Sequence, residues 1–385
     1  MLTQYHMKMP GAVYSGEGAL ENIISIIQGR FKKAAVFTDP GITKAGLLIQ
    51  SLALLREAGA EYTVLDRIPA EPTCEQAQDI IDQFRSEQAD LIVAVGGGSV
   101  MDIAKLASIL ADGETSVREL LEHPGQARKS VKTLMIPTTA GTGAEATPNS
   151  IVAVPERELK VGIVNDEMIP DYVILDGEMI KKLPRAIAAS TGVDALAHAI
   201  ECFTSNKANP FSDIYALEAL RLILGNIEEA CSNEEAMEAK RAMQIAAFYA
   251  GAAITSSGTT AVHALSYPLG GKYHIPHGVS NAMLLVPVMK FNEPVVRERF
   301  AAVYDCVMDG GSGLNLAEKS SWLIGRLEEI VKNLDIPSQL SEFGIGKQDL
   351  DVLVEAGMGV TRLLNNNRRQ VTTEDARDIY LQIME

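Results

Sequence analysis

Up to about residue 180 this chain alternates short β-rich runs with helical patterns, and after Lys181 the strand signals nearly vanish. That one change of texture restricts the available folds more than anything else in the sequence. The runs Ala34–Thr38, Tyr62–Leu65, Leu91–Val95, Thr133–Ile136 and Val173–Leu175 read as strands, while Lys44–Ala58 and Glu75–Gln88 carry apolar residues near the helical period. Alternation of this kind predicts a parallel sheet with helices on both faces. Beyond it, Phe211–Glu228, Glu234–Ile254 and Leu316–Leu334 predict long helices, so the second part is expected to be all-α. A chain of 385 residues exceeds one compact core. Two domains are therefore expected, residues 1–180 (α/β) and 181–385 (all-helical), with a tight join, because no Pro/Gly/Ser linker, internal repeat or low-complexity tract intervenes.

Charge and cysteine usage exclude several functions. Thirty-four basic against 50 acidic residues leave a net charge of −16, which disfavours a phosphate-backbone partner or an anionic membrane surface. The four cysteines (Cys74, Cys202, Cys231, Cys306) form no C-x-x-C pair, which suits a reducing compartment better than a disulfide framework. The first residues lack the apolar stretch of a signal peptide, and no apolar run reaches a membrane-spanning length. A cytoplasmic protein, with no nucleic-acid and no membrane partner, is expected.

Four side chains have metal-ligand character at favourable spacing. Asp194 and His198 stand four apart in an Ala-rich, proline-free stretch that reads as a helix, so both face one way. His263 and His277 follow, fourteen apart, with a Gly270–Gly271 pair expected to let the chain turn back between them. Four of the six histidines (His198, His263, His274, His277) fall within one eighty-residue stretch, which favours a shared site over independent core or surface histidines. Three imidazoles and one carboxylate suit Fe(II), Zn(II), Mn(II) or Co(II), and the ligand types alone do not choose among these.

A second constellation belongs to the α/β part. The apolar run Leu91–Val95 leads into Gly96-Gly97-Gly98-Ser99 and then a helical pattern containing Ile103, Leu106 and Ile109. Glycines admit a diphosphate close to the backbone, and the unpaired N–H groups of a helix start favour an anion. The spacing departs from G-x-G-x-x-G, since Met101 takes the third glycine's place, and the Lys-Ser/Thr of a P-loop is missing. Thr138, Thr139 and Thr142 offer hydroxyls after the next strand. Asp39, at the end of another, can accept hydrogen bonds from a ribose and repel a 2′-phosphate, or simply cap the turn before Pro40-Gly41.

Together these stretches resemble the iron-containing (group III) alcohol dehydrogenases. The likeness is carried by Gly96-Gly-Gly-Ser-Val-Met-Asp102, Pro137-Thr-Thr-Ala-Gly-Thr-Gly-Ala-Glu145, Asp176 through Glu201, and Ala261-Val-His263 through Pro276-His277-Gly278, in family order. The resemblance implies a dehydroquinate synthase-like fold: a nucleotide-binding parallel sheet plus an all-α, metal-binding domain that also takes substrate. It implies Fe(II), with Zn(II) as the alternative, on Asp194, His198, His263 and His277. It also implies NAD, ahead of NADP, on Asp39, Gly97, Gly98, Ser99, Asp102, Thr138, Thr139 and Thr142, with Lys160 and Met179 as further cofactor contacts. The expected substrate is a small primary alcohol or aldehyde, and the expected state a homodimer or larger homo-oligomer.

The chain departs from the family pattern at three positions. Tyr267 replaces a histidine common in relatives, as a hydrogen-bond donor or a pocket wall; His274 is additional, as a proton relay or an exposed loop residue; and Glu71 stands where relatives usually carry asparagine. Tyr267 and His274 are the catalytic candidates. Two competing readings are a metal-dependent enzyme of the same architecture without net oxidation, against which the metal neighbourhood is poor in Lys and Arg, and a non-catalytic nucleotide- or metal-binding module.

Overall fold

The computed structural model describes residues 4–157, 159–308 and 313–384. They separate into two compact units. One comprises Lys8–Thr139 and Gly143–Leu183; the other comprises the chain from Pro184 onward, together with Ala140–Thr142 and the described residues up to Met7.

The first unit is built on a six-stranded sheet. In chain order its strands are β1 (Ala12–Ser15), β2 (Lys33–Phe37), β3 (Glu61–Leu65), β4 (Leu91–Gly96), β5 (Lys132–Pro137) and, after a separate antiparallel hairpin of β6 (Asn149–Val154) and β7 (Leu159–Val164), β8 (Tyr172–Leu175). The spatial order is β1-β8-β5-β4-β2-β3 and every pairing is parallel. Strands β2, β4 and β5 are buried along almost their whole length, as central parallel strands covered on both faces must be, and this is why they read as unbroken apolar runs. The edge strand β1 alternates half-buried and exposed over four residues, too weak a pattern to stand out in sequence. The expected helix over Lys44–Ala58 is in fact two, Pro40–Ala45 and Leu48–Glu57, because Gly46 turns left-handed (φ 73°) and closes the first.

The chain runs outward from β2 to β3, then returns to place β4 beside β2 and continues to β5. Strand order therefore reverses between β2 and β4. Ligands of open α/β sheets collect outside the carboxyl ends of strands at such a reversal. Thr38, just past β2, donates its hydroxyl to the Val95 carbonyl in β4 at 2.8 Å and ties the two strand ends together.

Among its described residues the second unit is helical. Its principal helices are Arg185–Thr204, Pro210–Ser232, Met237–Ser256, Ala261–Tyr273, His277–Val307 and Leu316–Asn333. Starts are capped where the sequence offers a cap: Asn209 precedes Pro210, and Asn315 forms a reciprocal capping box with Glu318. Among the described residues, no helix is long and apolar enough to cross a membrane.

The expected break at Gly270–Gly271 does not occur; the helix runs through both glycines to Tyr273. Buried packing around Leu269 and Gly270 offsets the weak helix propensity of glycine. The turn comes instead at His274, which adopts φ 55°, and Pro276 keeps Ile275 out of helical conformation. Tyr380, near the C-terminus, donates its hydroxyl to the Leu265 carbonyl at 2.6 Å, inside the turn that Pro268 disturbs.

Candidate functional site

Asp194, His198 and Glu201 lie on the helix Arg185–Thr204 at i, i+4 and i+7, hence on one face. Two glycines bring other segments onto that helix. A Cβ on Gly278 would stand 2.2 Å from the Ser190 carbonyl oxygen, and one on Gly141 would stand 2.6 Å from Thr191 Cβ. Glycine at 278 thus lets the first turn of His277–Val307 approach backbone to backbone.

The result is a convergence of donors. Ligand atoms of Asp194, His263 and His277 lie within 4.8 Å of one another. Asp194 Oδ1 is 3.6 Å from Nε2 of His263 and 3.6 Å from Nε2 of His277. His198 falls outside that mutual set, but its Nε2 is 3.9 Å from the same oxygen and its ring stacks on His263 at 4.4 Å. A tetrahedral cation with bonds of about 2.1 Å holds its donors roughly 3.4 Å apart, so the donor spacing fits a transition-metal ion.

Electrostatics favour a cation here as well. Burial alone would raise the Asp194 carboxyl, but the imidazoles of His198, His277 and His263 outweigh it and hold the group well below the usual carboxylate range. Burial pushes His198 down, with Asp194 opposing. Burial would also lower His263, yet the Glu201 and Asp194 carboxylates pull it up to about 9. Asn281 counters that pull: its amide nitrogen, a donor only, stands 3.2 Å from Nε2 of His263 and favours the ring with that nitrogen unprotonated. In the ligating form, where all three imidazoles are neutral, the buried Asp194 and Glu201 leave two negative charges in a low-dielectric interior, which a divalent cation balances.

Glu201 and Asn281 were not singled out as site residues from sequence. Glu201 is fully buried and accepts from Thr260 and Val262 backbone N–H groups at 3.0 and 2.7 Å, while touching His263 Nδ1. Its i+7 spacing from Asp194 was the available signal. The two catalytic candidates are placed differently. The Tyr267 ring is buried, with its centroid 6.2 Å from that of His277, whereas His274 is exposed at the left-handed turn.

In the α/β unit the Gly-rich loop closes β4 and opens the helix Gly98–Leu110, whose start has no side-chain cap. Gly97 occupies the cap position in extended conformation, and a Cβ there would touch Thr139 at 3.5 Å. The Thr138 hydroxyl is buried without a partner among the described residues, while its backbone N–H donates to the Gly96 carbonyl at 3.0 Å. Uncapped N–H groups and an orphaned hydroxyl beside a glycine loop fit a pyrophosphate. Asp39, at the end of β2, caps the next helix through Oδ1, which accepts from Gly41 and Ile42 N–H groups at 2.8 and 3.1 Å.

Other candidates are engaged within the protein. Asp102 pairs with the fully buried Lys105 at 2.9 Å and accepts from the Ile151 N–H. Ser99 Oγ accepts from the Glu71 N–H at 3.1 Å, and the Glu71 carboxylate pairs with Lys160 at 2.6 Å. Met179 packs among Leu20, Val95, Ile136 and Ile174 in the apolar core. Thr142 is half-buried and groups with the helical unit.

With this geometry in place, likeness to known proteins is informative. Residues 10–177 match the model of the iron-containing alcohol dehydrogenases, and residues 188–384 that of the C-terminal part of the Fe-containing alcohol dehydrogenase family. The chain is 34% identical to long-chain-alcohol dehydrogenase 1 of Geobacillus thermodenitrificans over 375 residues, 96% of this chain and 94% of that one. It is 31% identical to the NAD-dependent methanol dehydrogenase of Bacillus methanolicus over 372 residues, 96% and 97% of the two chains. The crystal structure of a 1,3-propanediol oxidoreductase superposes with a TM-score of 0.92 at 30% identity, covering 99% of this chain and 100% of that one. Sequence, fold and donor set agree that this chain is an alcohol oxidoreductase and belongs to the iron-containing alcohol dehydrogenase family.

Proposed function

We propose that the protein is an NAD-linked, metal-dependent alcohol dehydrogenase and aldehyde reductase acting on a small primary alcohol or its aldehyde. The observation that carries this reading is the meeting of Asp194 Oδ1 with Nε2 of His263, His277 and His198 at 3.6, 3.6 and 3.9 Å. When bound, the divalent cation supplies Lewis acidity toward an alcohol or carbonyl oxygen, and the nicotinamide gives or takes the hydride. Asp194 and the three imidazoles hold the cation, with Fe(II) the assigned metal and Zn(II) the alternative. The Gly97–Ser99 backbone and the Thr138 and Thr139 hydroxyls receive the pyrophosphate. Asp39 receives the ribose through the carboxylate oxygen not used in capping, which favours NAD over NADP, as does the similarity to an NAD-dependent methanol dehydrogenase.

Relatives named for methanol and 1,3-propanediol support a short substrate, and the one named for long-chain alcohols marks the competing size class. Tyr267, buried near His277, is assigned to the substrate wall, and His274 to proton exchange with solvent. We place the enzyme in the cytoplasm as a homo-oligomer; the buried thiols of Cys74, Cys202 and Cys231 support the reducing compartment.

The test is metal analysis of anaerobically purified protein, followed by activity on C2 to C12 alcohols and aldehydes with each nicotinamide cofactor. Asp194→Ala and His263→Ala should lose metal and turnover together. Undiminished turnover in metal-free protein rejects the reading.

A further inference from the structure

Glu201 is not among the four donor residues, yet it is the most heavily engaged carboxylate near them. Its Oε1 accepts from the Thr260 N–H at 3.0 Å, the Thr260 hydroxyl at 2.7 Å, the Val262 N–H at 2.7 Å and the His263 N–H at 3.4 Å. The three backbone N–H groups are orphan donors at the start of the helix Ala261–Tyr273, whose cap residue Thr260 makes no side-chain cap of its own. Its Oε2 meets His263 Nδ1. One buried side chain therefore fixes both the helix start that carries His263 and the orientation of the His263 ring.

The protonation pattern follows from donor and acceptor inventory. An ionised carboxylate only accepts, so His263 Nδ1 carries a hydrogen. On the other side of the ring, Asn281 Nδ2, which only donates, stands 3.2 Å from Nε2, nearer than the acceptor Asp194 Oδ1 at 3.6 Å. Two independent neighbours thus agree that Nδ1 is the donor and Nε2 the nitrogen whose lone pair is available.

We propose that Glu201 is a positioning residue of the metal centre, which locks the Nδ1–H tautomer of His263 and so presents Nε2 to the cation. The proposal rests on the metal-binding reading above, and its test separates the two. Glu201→Gln is the decisive variant. A glutamine oxygen retains the bonds from Thr260 and Val262, but its NH2 group would face Nδ1 and drive the hydrogen onto Nε2, the nitrogen the cation needs.

Metal-free wild-type and E201Q proteins are titrated with Co(II) against a competing chelator, with the visible absorption of Co(II) and the thermal midpoint of the metal-free forms recorded. The expected result is roughly 10- to 100-fold weaker Co(II) binding by E201Q, a loss typical of outer-shell partners, with little change in midpoint. In Zn(II)-loaded wild-type protein labelled with 15N-histidine, the His263 resonance, assigned by its loss in His263→Ala, should show Nδ1 protonated. Co(II) affinity of E201Q within two-fold of wild type overturns the proposal, as does a weakening matched by an equal collapse of thermal stability. An unprotonated Nδ1 in the wild-type spectrum overturns it even if E201Q does not fold. Wild-type protein that takes up no Co(II) refutes the metal reading itself, a separate failure from the others.

Discussion

The Asn281 amide nitrogen donates to Asp194 Oδ1 at 2.7 Å and also stands 3.2 Å from Nε2 of both His263 and His277. A single NH2 group thus faces the three acceptors that make up the closest part of the donor set. It places a partial positive charge among atoms that otherwise repel one another. Asn281→Ala should therefore destabilise the metal-free protein by about 1–3 kcal/mol, the usual cost of stranding buried acceptors. The loss should be smaller with saturating cation, which serves the same oxygen and nitrogens. Urea unfolding with and without metal measures both, and equal losses would refute the role.

Gly278 is required by proximity rather than by backbone angle. Its missing Cβ is what allows contact with the Ser190 carbonyl, where a methyl group would lie at 2.2 Å. Gly278→Ala should push the His277 turn away from the Asp194 helix, costing about 1–3 kcal/mol of stability by overpacking. Metal affinity should fall with it, because His277 no longer reaches Asp194. A chelator-competition titration reads this directly; unchanged affinity would show that the helices can part without moving the ligands.

Asp39→Gly should raise the preference for NADPH over NADH by removing the carboxylate that a 2′-phosphate would meet. It also takes the side-chain cap from Pro40–Ala45, but glycine is itself a tolerated cap residue, so the cost is only about a few tenths of a kcal/mol. The kcat/KM ratio for the two cofactors checks the first effect independently of the second. An unaltered ratio leaves Asp39 as a helix cap only.

Burial pushes the Glu145 carboxyl up to about 7, with Lys105 opposing. A carboxyl whose folded pKa exceeds its unfolded one binds extra protons in the folded state, so stability falls as pH rises from about 4.5 to 7 and levels off above. Glu145→Gln should abolish that loss, stabilising the protein near pH 8 by up to about 3 kcal/mol and hardly at all below pH 4.5. Unfolding curves across this range decide it; a gain independent of pH would contradict the account.

Much of the architecture was legible along the chain. The central strands announced themselves because both their faces are buried, and the long helices of the second unit because their capping and periodicity are local. Asp194 and His198 were a pair in sequence for the same reason: the helical repeat alone sets four residues apart on one face. The edge strand β1 and the break at Gly46 were hidden, since four half-exposed residues carry no pattern and a left-handed glycine looks like any other.

What the sequence determined by itself was the local chemistry: which side chains could bind metal, which loop could admit a diphosphate, and which stretches were helix or strand. Tertiary structure alone decided that His263 and His277 meet Asp194, that the turn falls at His274, that Glu71 pairs with Lys160, and that Glu201 steers His263. Those relationships join residues from 14 to nearly 90 positions apart. Those at the metal site depend on backbone contacts at Gly141 and Gly278 and on burial that turns a spare carboxylate into an acceptor for orphan N–H groups. No period or spacing encodes such contacts, because they arise only when segments distant in sequence are packed against one another.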